Sequence, residues 1–82
     1  MKSDTLKNET ILLIDLPHGQ KGIILEQYGN QFLASLGLRK GKIIQLVAKQ
    51  IYGGPLVCSI DDRKIAIGKD IAKLIQVKPF IA

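Results

Sequence analysis

No run of apolar residues in this chain is longer than four, and almost every run is cut by a glycine, a proline or polar residues. That punctuation limits what 82 residues can build. A helix in a larger core needs several turns of sustained 3.6-residue periodicity, and a membrane span needs about 20 apolar residues. The chain offers neither. Short runs of β-branched residues with period-two alternation read instead as strands. The length leaves room for one small core, which excludes a doubly wound nucleotide-binding fold and a (β/α)₈ barrel, since the latter takes roughly 250 residues.

The pattern along the chain divides it into a polar arm over residues 1–9 and a single domain over residues 10–82. Ile11-Leu12-Leu13-Ile14 is a short apolar run ended by Asp15-Leu16-Pro17-His18-Gly19, a turn in which Gly19 can take positive φ. Lys21 to Gln27 reads as a strand around Ile23, Ile24 and Leu25, closed by Gly29-Asn30. Asn30 suits an N-cap for a helix to Leu36, with Phe32, Leu33 and Leu36 on one face and Gly37 as its left-handed terminator.

The second half alternates like a meander. Ile44, Leu46 and Ala48 face one way and Gln45, Val47 and Lys49 the other. After the turn Tyr52-Gly53-Gly54-Pro55, Leu56, Cys58 and Ile60 alternate. Asp61-Asp62 is a hairpin tip, and Ile65 and Ile67 lie on the return strand. Lys69 to Leu74 makes one helical turn with Ile71, Ala72 and Leu74 leaning inward, and Ile75 to Val77 is a last strand stopped by Pro79. This predicts a mainly β fold: a small barrel of five to six short strands, one short helix after the second strand and a helical turn near the C-terminus. Closing the sheet removes exposed edges, and glycines 22, 41, 53, 54 and 68 supply the corners. The expected core is Ile24, Ile44, Leu46, Cys58, Ile60, Ile65 and Ile67.

The inventory for catalysis is poor. His18 and Cys58 are the only histidine and the only cysteine, and Cys58 is placed inward as a small hydrophobe. Asp61 and Asp62 are neighbours on a turn, where side chains diverge. A transition-metal site wants three or four N or S ligands, and neither a Cys-x-x-Cys nor a His-x-x-x-His pair is present. Gly53-Gly54-Pro55 is not followed by the Lys-Ser/Thr of a phosphate loop. The expectation is therefore a non-enzyme without a resident metal or cofactor. A single cysteine forms no intrachain disulfide, the N-terminal residues lack the apolar region of a signal peptide, and the reading is a cytoplasmic protein.

The charge is +5, and Arg39, Lys40 and Lys42 cluster at the helix exit. Nucleic-acid binding would want aromatic platforms beside them; Tyr28, Phe32 and Tyr52 show no such spacing. The helix is more apolar than one short face requires. Either it plugs one end of the barrel or part of it stays exposed as a docking patch. The candidate contact residues are Phe32, Leu33, Leu36, Leu38 and Arg39, with the Gly53-Gly54-Pro55 corner as a second place.

The punctuation as a whole resembles the ferrous iron transport protein A family (FeoA). The residues that carry the resemblance are Asp15-Leu16-Pro17-His18-Gly19-Gln20-Lys21-Gly22, Leu33-Ala34-Ser35-Leu36-Gly37-Leu38-Arg39-Lys40-Gly41, Tyr52-Gly53-Gly54-Pro55-Leu56, Ile65-Ala66-Ile67 and Ala72-Lys73-Leu74-Ile75-Gln76-Val77, in register from about Ile11 to Pro79. The resemblance implies an SH3-like barrel. It also implies a cytosolic accessory of an FeoB-type ferrous iron transporter, a membrane protein with a GTPase domain, which would recruit it to the inner face of the membrane. Weak self-association through the same patch is a competing use. Phe32 stands where the family often has Arg, and Lys40 where it commonly has Pro, which suits a more apolar helix surface. Two other readings are a basic SH3-like barrel binding nucleic acid, and the C-terminal regulatory module of a metal-dependent repressor. The latter would follow a winged helix that this sequence lacks.

Overall fold

A computed structural model describes residues 10–26, 31–50 and 52–80, with the side chains of Phe32 and Phe80 outside that description. The 1–9 arm, the end of the second predicted strand, Tyr28, and the Asn30 cap also lie outside the described residues.

Among the described residues, six strands form one antiparallel sheet in the order β1-β6-β2-β3-β4-β5. These are β1 (Ile11–Leu12), β2 (Lys21–Ile24), β3 (Ile43–Lys49), β4 (Leu56–Ile60), β5 (Arg63–Ile67) and β6 (Gln76–Phe80). A 3-10 turn at Leu13–Asp15 follows β1, helix α1 (Gln31–Ser35) follows β2, and helix α2 (Lys69–Ala72) follows β5. The inner faces converge on one aliphatic core that includes Ile24, Ile44, Leu46, Leu56, Cys58, Ile60, Ile67 and Val77. Leu13 and Leu16 close it from one side, and Leu33 and Leu38 from another. Each fully buried Leu or Ile contributes ~1.5–3 kcal/mol of transfer free energy. Ile65 only packs against this core, half-buried.

Strand β4 follows its pattern throughout. Leu56, Cys58 and Ile60 are buried and Val57 and Ser59 are not. Asp61 (φ 53°) and Asp62 (φ 65°) both adopt positive φ, the conformation of a two-residue type I′ turn. Strand β3 departs from its pattern. Leu46 pairs with Cys58, but the register then shifts and Ala48 pairs with Val57. The bulge turns Ala48 to the outer face, against the expectation that it follows Ile44 and Leu46 inward.

Two further expectations need correction. Leu74 is 65% exposed, because α2 ends at Ala72 and Ile75 takes the inward place. Pro79 lies inside β6 rather than ending it. The Leu25 amide donates to the Gln76 carbonyl, so ladder alternation turns the Pro79 nitrogen away from β2. On its other side, among the described residues, β1 reaches no further than Ile11 opposite Val77, so the missing N–H costs no ladder bond there.

Gly22 serves a close approach within the sheet, not a corner: a Cβ there would lie 3.1 Å from the Val77 Cβ. Gly68, with φ −62°, is ordinary backbone. Among the described residues, the ladder ends at β5 without pairing it to β1. The expectation that closure removes every edge therefore does not hold there.

Candidate functional site

Helix α1 is five residues long and is ended by a Schellman motif. The Leu38 amide donates to the Leu33 carbonyl at 3.0 Å, the Gly37 amide donates to the Ala34 carbonyl at 3.0 Å, and Gly37 sits at φ 94°. This motif brings together the apolar residues at its two ends, Leu33 and Leu38. Their exposures are 6% and 0%. As contact residues these two are corrected: they are core, held there by the way the helix stops. Leu36 is half-buried against the core, while Ser35, Arg39 and Lys40 are exposed. The helix thus both plugs the barrel and offers a narrow outer rim. Gly37 at the terminator position was the sequence signal that could have paired Leu33 with Leu38.

Charge gathers beside that rim. A groove of about 210 Å³ is lined by Ala34, Ser35, Gly37, Arg39, Lys42, Asp61 and Arg63. Arg39 Nε donates to the Ala34 carbonyl at 3.3 Å, so Arg39 folds over the helix end, where cations are favoured. Lys42 Nζ sits 3.0 Å from an Asp61 carboxylate oxygen. With side chains 42% and 49% exposed, this pair contributes only ~0.2–1 kcal/mol. The same pair borders a second groove of about 350 Å³ on the outer face, lined also by Lys21, Ile43, Gln45 and Ser59. Gln45 Nε2 donates to the Gly19 carbonyl at 3.1 Å and so fixes the turn beside that groove. Sequence reading found Arg39 and Lys42; it missed Arg63 and Asp61 as their neighbours, because the register that unites them crosses strands.

The Gly53-Gly54-Pro55 corner lines neither of these grooves. Gly53 takes φ 82°, and a Cβ on Gly54 would come within 2.7 Å of Gln50 Cγ, so both glycines are needed by the turn itself. Tyr52 stands 97% exposed beside it.

His18 is exposed on the turn after Pro17. Cys58 is buried in β4, and its burial pushes the thiol up to about 11. Among the described residues, no three His, Cys, Asp or Glu side chains come together. Nor is any described helix long and apolar enough to cross a membrane.

Among the described residues, the architecture is one six-stranded antiparallel sheet with a helix after its second strand. The FeoA of Stenotrophomonas maltophilia complexed with zinc, described as an SH3-domain protein, shares it at 25% identity with a TM-score of 0.65, covering 82% of this chain and 88% of that one. The FeoA domain family matches residues 11–79, and the chain belongs to that family. The crystal structure of an iron uptake regulatory protein (FeoA) superposes with a TM-score of 0.79 at 30% identity, covering 88% of this chain and all of the other. A manganese-dependent transcriptional repressor superposes with a TM-score of 0.77 at 18% identity. There the match covers 89% of this chain but 43% of the repressor, a likeness of fold alone. A comparison with curated proteins found no match.

Proposed function

We propose that this protein is a non-enzymatic accessory of ferrous iron transport that acts by docking on the cytosolic part of an FeoB-type transporter. The observation that carries the reading is family membership over residues 11–79, in a chain matching the whole of a stand-alone FeoA structure. The helix exit supports it in detail. Its contact rim is Leu36, Arg39 and the exposed Lys40, with Lys42 and Arg63 lining the adjoining groove. Clustered cations at a rim steer association with an acidic partner and set its on-rate.

The test is Arg39→Glu, a surface change that leaves the core intact. Co-purification with the transporter and growth dependent on ferrous iron are measured together in a folded variant. The expected result is loss of both. Retention of both places the docking surface elsewhere, with the Gly53-Gly54-Pro55 corner the next place to probe.

A further inference from the structure

Strand β5 pairs with β4 and, among the described residues, with no other strand. Across the two-residue turn, Ile60–Arg63, Cys58–Ile65 and Leu56–Ile67 are the pairs that exchange hydrogen bonds. The amides and carbonyls of Lys64 and Ala66 therefore point away from the sheet. Neither residue has a backbone partner on that side among the described residues. The strand is straight in register from Arg63 to Ile67, with no bulge to spoil a template.

The side chains say what would fit. Arg63 and Lys64 are exposed at one end of the edge, and neither is paired with a carboxylate among the described residues. Ala66 is exposed and small, so it does not fence off the edge. Ile65 is half-buried and offers an apolar contact on the inner face. A second copy of this chain fits poorly: each molecule carries +5, and charged edges resist self-pairing.

We propose that the open edge of β5 receives an extended acidic segment of a partner protein as an added strand. Backbone bonds to Lys64 and Ala66 give the pairing, acidic side chains on the outer face meet Lys64, and the alternating apolar side chains meet Ile65 on the inner face. The inference holds whichever protein supplies the segment.

The probe is a short synthetic peptide of alternating Glu and Val, with a Lys-Val peptide as its control. Amide exchange of the intact protein is followed by NMR. The Glu-Val peptide should slow exchange of the Lys64 and Ala66 amides by about tenfold or more, and added salt should weaken the effect. The Lys-Val peptide should not protect them. Ala66→Pro removes an outward N–H without touching a bond to β4, and should abolish the protection. Should that variant fail to fold, Lys64→Glu, an exposed change, should transfer the preference to the Lys-Val peptide. Unchanged exchange in the folded wild type, or equal protection by both peptides, would overturn the proposal. So would protection that appears without peptide and grows with protein concentration, which assigns the edge to a second copy.

Discussion

Cys58 shows how a single residue reports the interior. Its thiol is buried in the core, and that burial disfavours the thiolate. Burial pushes the folded thiol up from its ordinary value to about 11. The thiol is neutral in both states at low pH, and the unfolded chain ionises first as pH rises. Stability should therefore be unaffected by Cys58 below about pH 8 and fall between about pH 9 and 11, by at most ~3 kcal/mol. Denaturation midpoints of the wild type and Cys58→Ala across that range check this, the variant lacking the alkaline slope. A second test is the contrast between two isoleucines that the alternation treats alike. Ile60→Ala should cost ~2–5 kcal/mol, and Ile65→Ala distinctly less, since Ile65 is only half-buried. Asp62, at φ 65°, occupies a place that glycine takes without strain. Asp62→Gly should raise stability by ~0.5–1 kcal/mol in urea unfolding, while Asp61 keeps its contact with Lys42.

Among the elements, those governed by local chemistry were legible and those governed by their neighbours were not. The β4–β5 hairpin was written in strict alternation around two residues that tolerate left-handed backbone, and Gly37 announced the end of α1. Alternation places Ala48 inward, and wrongly, because a bulge is a property of the β3–β4 pair and leaves no mark on β3 alone. Pro79 reads as a stop until its position in the ladder shows that its nitrogen faces away from β2. Leu74 fails for a related reason: helical spacing was extended past a helix that ends at Ala72. Gly37 gives the prediction at this scale. A Cβ there would lie 3.2 Å from Ile60 Cγ2, on backbone at φ 94°. Gly37→Ala should cost ~1–2 kcal/mol from backbone strain, and more if Ile60 must shift; chemical denaturation measures it. Undoing the motif would also loosen Leu33 and Leu38, whose burial shapes the rim that carries Leu36 and Arg39.

At the scale of the whole molecule, the candidate site was half legible. The cation cluster at the helix exit stood in the sequence, and so did the apolar excess of the helix. The division of that excess between core and surface did not, because it depends on which side chains the Schellman motif turns inward. The docking account consequently rests on a narrower surface than Phe32, Leu33, Leu36, Leu38 and Arg39 together. Its central claim is that this rim contacts the transporter. The most direct measurement is an NMR titration of the isotopically labelled protein with the purified cytosolic part of an FeoB-type transporter, following each backbone amide. The account predicts saturable shifts or broadening at Leu36, Arg39, Lys40 and Lys42 that are lost in Arg39→Glu. Binding that leaves those amides unmoved, or no binding at concentrations well above those of the two proteins in the cell, would contradict it.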